Sequence, residues 1–231
     1  MRSSSVSRRA FLQVSLVAAA GAAFGLAGCT PRGAVEEASD TTAASDPSTS
    51  DGDAEQSTQR AESTGGSAKP LVVYFSYTGN VDKMAHWIAD ETGGDLVRVL
   101  AKDAYPDDYD ATVDRAKEEQ DNGTHPEIVV ELDADQLAGY DTVFFGFPVW
   151  WYDLPMPMYT FLENYDLSGK EVIPFFSHGG SSSGANSLPS LESLASGATV
   201  RPDDAISIYG DDVQDSEQEV RAWVKGLGYS S

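Results

Sequence analysis

Three short segments carry residue types better suited to holding a ligand than to filling a core. In the first, Ser76-Tyr77-Thr78-Gly79-Asn80-Val81, hydroxyls and a glycine stand immediately before a helical pattern. Hydroxyls and successive free N–H groups at a helix N-terminus make a cradle for an anion such as phosphate. The segment has no lysine and matches neither GxxxxGK[ST] nor GxGxxG, which argues against a nucleoside triphosphate or a dinucleotide of the usual kind. A monophosphate held by dipoles and hydroxyls remains. The same residues serve equally well as a plain helix cap, with Thr78 or Asn80 as the capping side chain. The second segment, Phe147-Pro148-Val149-Trp150-Trp151-Tyr152-Asp153-Leu154-Pro155, sets three aromatics in a row between prolines. Aromatics in a surface loop offer flat faces to a flat ring; one of the three is expected to pack inward, but not all. The third, Ser177-His178-Gly179-Gly180-Ser181-Ser182-Ser183-Gly184, has glycines that let backbone groups approach a ligand closely.

The elements that must position these segments read as alternating strands and helices. Leu71–Phe75 is an unbroken apolar run, as in a strand covered on both faces. Val81, Met84, Ala85, Ile88 and Ala89 form one stripe of a helix that stops at Gly93-Gly94. Strands follow at Asp95–Leu100, Asp141–Phe147, Lys170–Ser177 and Ala205–Tyr209. Helices are expected over Asp107–Asn122, which is charged with a weak apolar stripe, and over Met156–Tyr165, Ser187–Ser196 and Gln214–Leu227. The last is opened by Asp211, Asp212 and Asp215, carboxylates that suit a helix N-terminus. This alternation predicts an α/β fold, a parallel sheet with helices on both faces. Ligands in such folds bind beyond the carboxyl ends of the strands, where the strand order reverses. The three unusual segments follow the first, third and fourth strands.

Together the segments resemble the flavodoxin family over essentially all of 70–229. Ser76-Tyr77-Thr78-Gly79-Asn80-Val81 is similar to the family's phosphate loop, Thr/Ser-x-Thr-Gly-x-Thr, except at its last position. Gly146-Phe147-Pro148-Val149-Trp150-Trp151 resembles the Gly-x-Pro-x-Trp-Trp segment of a bacterial branch near the NAD(P)H-dependent flavodoxin-like reductases, as does Phe161-Leu162-Glu163 through Gly169-Lys170. The resemblance implies a three-layer sandwich around five parallel strands in the order 2-1-3-4-5, with noncovalent FMN. It implies that Ser76, Tyr77, Thr78, Gly79, Asn80 and Val81 surround the phosphate. Pro148, Val149, Trp150 and Trp151 would line the isoalloxazine, with Ser177, His178 and Gly179 at its other edge. Val81 replaces a threonine, which removes one phosphate hydrogen bond.

Composition narrows the function further. The 231 residues hold 15 Lys and Arg against 37 Asp and Glu, a net charge of −22. Such a chain repels phosphate backbones, so nucleic acid is not an expected partner. One cysteine, Cys29, excludes a disulfide framework, a four-thiolate cluster and any CxxC pair. Redox chemistry would therefore come from an organic cofactor. Residues 1–29 read as an export signal: Ser7-Arg8-Arg9-Ala10-Phe11-Leu12-Gln13, the apolar run Val14–Leu26, then Leu26-Ala27-Gly28-Cys29. The apolar run is too short to span a membrane comfortably. The paired arginines resemble a twin-arginine signal, and Leu-Ala-Gly-Cys resembles a lipoprotein lipobox with Cys29 as the lipidated residue. Residues 30–68 are a Ser/Thr/Ala/Asp-rich linker with no aromatic residue, expected to be disordered. Residues 69–231 form the domain and carry 10 Lys and Arg against 29 Asp and Glu.

His86, off the apolar stripe, and His125, before Pro126, read as solvated residues; no metal spacing and no Gly-x-Ser-x-Gly are present. Two functions follow. One is an exported, lipid-tethered FMN protein on the membrane, carrying electrons or acting as an oxidoreductase, with a redox partner protein or NAD(P)H. The other is a flavodoxin-like lipoprotein that has lost its flavin and serves as a binding module.

Overall fold

The computed structural model describes residues 69–180, 184 and 186–231. The export signal, Cys29 and the linker of 30–68 lie outside the described residues, as do Ser181–Ser183 of the third segment. β1 (Leu71–Tyr74) is buried along its whole length. α1 (Asn80–Thr92) turns Val81, Met84, Ala85, Ile88 and Ala89 inward and ends at Gly93, whose φ of 67° suits glycine. β2 (Asp95–Arg98) pairs with β1. The strand expected to run on to Leu100 stops sooner. Leu100–Ala101 forms β3, which pairs antiparallel with β4 (Ile128–Val129) outside the main sheet.

Between these lies α2 (Tyr109–Asn122), capped by the Asp108 carboxylate, which accepts the Ala111 N–H at 2.9 Å. The short helix α3 (Ala134–Ala138) was not read from the apolar pattern; Asp133 and Gln136 form its capping box. Next come β5 (Thr142–Pro148), α4 (Met156–Asn164), β6 (Glu171–His178) and α5 (Ser187–Leu194). The chain closes with β7 (Thr199–Val200), β8 (Ile206–Tyr209) and α6 (Glu217–Gly226). The expected last helix starts late: Asp215 belongs to a separate 3-10 turn, Val213–Asp215, and Ser216 stands at the N-cap of α6.

The main sheet is parallel in the order β2-β1-β5-β6, with β7 and β8 both on the far edge of β6. This is the expected 2-1-3-4-5 arrangement with its fifth lane broken in two. Pro174 explains the break. The Val172 carbonyl faces the fifth lane, accepting the Arg201 N–H at 2.9 Å, and backbone groups two residues on face the same way. Pro174 therefore lacks its N–H on that side, between the stretch paired with β7 and the stretch paired with β8. Alternate residues of the central strands feed two cores. Val72, Tyr74, Phe144, Ile173 and Phe175 pack with α1 and α6, while Leu71, Val73, Phe75, Val143, Phe145 and Phe147 pack with α4 and α5. Gly146 is required in β5: a Cβ there would sit 2.2 Å from the Phe175 ring.

Candidate functional site

The order reverses between β1 and β5, and the three segments of interest leave the carboxyl ends of β1, β5 and β6 there. Gly79 stands at the N-cap of α1 with φ 88°, a conformation that favours glycine, and among the described residues no side chain caps the helix. Thr78 is exposed, and the Asn80 amide donates instead to the Gly210 carbonyl at 2.9 Å. The plain-cap reading is thus set aside, and the first-turn N–H groups keep no side-chain acceptor of their own. Ser76, 5% exposed, has a hydroxyl with no hydrogen-bond partner among the described residues. Val81 is 1% exposed; its side chain lies in the core, leaving only its N–H at the cradle.

A cation from outside the loop stands behind it. Arg98, at the end of β2, donates to the Ser76 carbonyl at 3.0 Å and to the Asp82 carboxylate at 3.2 Å. The Tyr74 hydroxyl donates to the same Asp82 oxygen at 2.9 Å. Burial, then the Asp82 carboxylate, pushes the Tyr74 hydroxyl up to about 12.

The aromatic segment closes on itself. Val149 extends the β5–β6 pairing by donating to the Ser177 carbonyl at 2.8 Å, and Trp150 and Asp153 then exchange backbone bonds of 2.9 Å each. The two residues between them, Trp151 and Tyr152, both have positive φ, 48° and 70°. Two-residue turns with positive φ at both centres ordinarily carry Asn-Gly. A non-glycine residue in the left-handed region costs about 1–2 kcal/mol. Trp150 packs inward, edge-on to Phe75 at 5.3 Å and to Tyr105 at 5.0 Å, while Trp151 and Tyr152 are 40% and 53% exposed. One aromatic therefore packs inward and two face out. Asp153 points away from them. Its carboxylate accepts the Leu154 N–H at 2.7 Å and the Tyr159 and Ser190 hydroxyls at 3.0 Å.

A cavity of about 300 Å³ opens between these parts, lined by Tyr77, Val149, Trp150, Trp151, Tyr152 and Gly179, and on its other side by Tyr109, Thr112, Val113 and Ala116 of α2. That α2 wall was missed. Its only sequence sign is a patch of small residues, Thr112 and Ala116, on an otherwise charged helix. The Trp151 indole N–H donates to the Val113 carbonyl at 3.2 Å, joining the two walls. α2 is held by polar contacts rather than by an apolar stripe. Arg115 donates to the carbonyls of Ala104 and Asp103 at 3.0 Å and to Glu119 at 2.8 Å, and lies 4.1 Å from the Tyr105 ring centre. Burial, together with the bond to Glu119, pushes the Tyr105 hydroxyl far up.

The cavity thus brings together Tyr77, Val149, Trp150, Trp151 and Gly179 of the expected residues, beside the cradle of Ser76, Thr78, Gly79 and Asn80. Pro148 and Ser177 are paired in the sheet and do not line it. Nor does His178, whose Nδ1 accepts the Gly180 N–H at 3.0 Å. His86 and His125 are exposed, bonded to the Asp82 carbonyl and paired with Glu163. Among the described residues no group of acidic, His or Cys side chains could hold a metal ion, and no helix is long and apolar enough to cross a membrane.

Residues 69–226 match the flavodoxin family. Among solved structures, a protein from Bacteroides uniformis described as a flavoprotein is 30% identical, with a TM-score of 0.58 over 69% of this chain and 99% of its own. A similarly described protein from Bacteroides eggerthii is 29% identical, with a TM-score of 0.57 over 69% of this chain and 98% of its own. The flavoprotein of Lactobacillus acidophilus, solved in complex with FMN, is 26% identical, with a TM-score of 0.50 over 65% of this chain and 98% of its own. No curated protein matches the chain.

Proposed function

The chain belongs to the flavodoxin family, and from that premise we propose that it binds FMN and carries electrons, or acts as an oxidoreductase, outside the cytoplasmic membrane. One observation carries the FMN reading. Tyr77 is both a member of the uncapped cradle at α1 and a wall of the aromatic cavity. A flat ring and a phosphate on one ligand would therefore meet their two sites from a single position. The residues fit such a ligand: Ser76 has a buried hydroxyl with no partner among the described residues, and Trp151 and Tyr152 present exposed aromatic faces. Ser76, Thr78, Gly79 and the first-turn N–H groups would hold the phosphate, and Val149, Trp150, Trp151 and Gly179 the ring. The flavin, when bound, supplies electron transfer at its ring.

The chain's own part is to bind, orient and shield. The N–H groups at the start of α1 attract the phosphate, and the α1 dipole adds to that attraction. Trp150 and the α2 wall would keep water from a ring bound in the cavity, and the exposed Trp151, Tyr152 and Tyr109 stand at its mouth. A redox partner protein or NAD(P)H would supply electrons to a flavin bound there. Asp107, Asp108 and Asp110 flank Tyr109 and are exposed, which favours a partner with a basic face. Export and lipid tethering rest on Arg8-Arg9 and Cys29; a route that carries folded proteins suits a cofactor loaded in the cytoplasm.

The rival reading is a binding module that has lost its flavin. It is favoured by Val81, whose buried side chain brings no hydroxyl to the cradle. One measurement separates the two: the absorption spectrum of the purified chain, followed by FMN titration of the stripped protein. Flavin bands and a saturable titration support the redox reading. A colourless chain that FMN does not titrate supports the module.

A further inference from the structure

We infer that Asp153 is a positioning residue that holds the Trp151-Tyr152 turn in its left-handed conformation, and that this clamp shapes the wall against which a flat ring packs. The inference rests on the flavin-binding reading above. Trp151 and Tyr152 are the only non-glycine residues with positive φ among the described residues, they are consecutive, and both line the cavity. Such a conformation persists only where its surroundings over-determine it.

The surroundings here are specific. The Trp150–Asp153 backbone pair closes the turn, the Asn186 N–H donates to the Tyr152 carbonyl at 3.3 Å, and the Gln120 amide to the Trp151 carbonyl at 3.4 Å. Among these holds the Asp153 carboxylate is the one that makes three bonds, two of them to other elements. One of its oxygens takes the Leu154 N–H, and the other gathers hydroxyls from two different helices, Tyr159 of α4 and Ser190 of α5. It therefore ties the end of the turn to two rigid elements on the side away from the cavity. Burial pushes the Tyr159 hydroxyl up, so it stays protonated and keeps donating. With the clamp removed, the turn can relax toward negative φ and rotate the Trp151 and Tyr152 rings out of the wall. Because the clamp acts on the ring wall and not on the phosphate cradle, FMN and riboflavin should suffer alike.

The test has one arm with flavin and one without, both on the full chain. In the first, Asp153→Ala weakens FMN and riboflavin equally, by about tenfold, comparable to one strained residue let go. Asp153→Asn keeps an acceptor for the Leu154 N–H and reverses the other contact, its amide N–H groups donating to the Tyr159 and Ser190 hydroxyl oxygens, and retains most of the affinity. In the flavin-free arm, thermal unfolding compares Tyr152→Gly with Tyr152→Ala. Both remove the ring, but only glycine relieves a positive φ. The glycine variant should melt above the alanine variant, and that advantage should vanish when Asp153→Ala is added. Glycine melting at or below alanine in the Asp153 background overturns the strain argument whether or not flavin binds. Strain present, with FMN and riboflavin affinity unchanged in Asp153→Ala, overturns the clamp's role at the ring. Equal losses and equal destabilisation in Asp153→Ala and Asp153→Asn overturn it too, because they mark a fold defect. A wild-type chain that binds no flavin, with the glycine advantage intact, rejects the flavin reading and the ring-wall role while leaving the clamp on the turn established.

Discussion

Arg98 and Asp82 meet at 3.2 Å beside the first turn of α1, and the same guanidinium donates to the Ser76 carbonyl at 3.0 Å. An aspartate in a first turn favours the helix but repels an anion at the same N-terminus. Arg98 offsets that charge and ties the start of the cradle to β2. Arg98→Gln is expected to weaken FMN binding by about 0.5–1 kcal/mol, in the range of an exposed ion pair. The loss should shrink at high salt, riboflavin should be unaffected, and adding Asp82→Asn should recover part of the affinity. Calorimetric titrations at two salt concentrations check this, and equal losses for both ligands count against it.

Ser76 yields a prediction of opposite signs. Its buried hydroxyl has no partner among the described residues, so removing it relieves the ligand-free protein of a desolvated polar group. Ser76→Ala should leave the flavin-free melting temperature unchanged or raised. The same change should weaken FMN by about 1.5–3 kcal/mol, as for a lost hydrogen bond to a charged group. A lowered flavin-free melting temperature would assign the hydroxyl a structural role instead.

Alkaline stability follows from the tyrosines. The Tyr74 hydroxyl is raised from 10.0 to about 12, first by burial and then by its bond to Asp82. A hydroxyl raised in the folded state contributes stability that is fully present below pH 10 and is lost as pH climbs toward 12. Tyr105 is shifted in the same direction by burial and Glu119. Urea unfolding at pH 8, 10 and 11 should show stability falling across the upper interval. The fall should be shallower in Tyr74→Phe; a wild-type midpoint that does not move across that interval, or an equally steep fall in Tyr74→Phe, would contradict the assignment.

Location is tested apart from fold. Cys29→Ala should release the protein from the membrane fraction or stall its processing, and Arg8→Lys with Arg9→Lys should hold the precursor inside. Membrane fractionation reads both outcomes, and undiminished membrane association of the Cys29 variant would reject the lipid anchor.

The alternation of apolar runs and 3.6-residue stripes was enough to determine β1, α1, β5, β6, α6 and the parallel sheet. A strand buried on both faces and a helix buried on one impose those patterns locally. The cradle and the aromatic segment were legible for a related reason: Thr78-Gly79-Asn80 and Trp150-Trp151-Tyr152 are each contiguous in the chain, so local residue types already state their chemistry. Tertiary structure alone brought in Arg98 and α2. Arg98 lies 22 residues from Ser76, and α2 is anchored by Arg115 reaching carbonyls and a carboxylate, so no apolar period announced which face it buries. The left-handed Trp151-Tyr152 turn was equally invisible, because its residue types disfavour that conformation, and the contacts around it come from distant parts of the chain: Asp153 reaches Tyr159 and Ser190 on separate helices, and Asn186 and Gln120 bond its carbonyls.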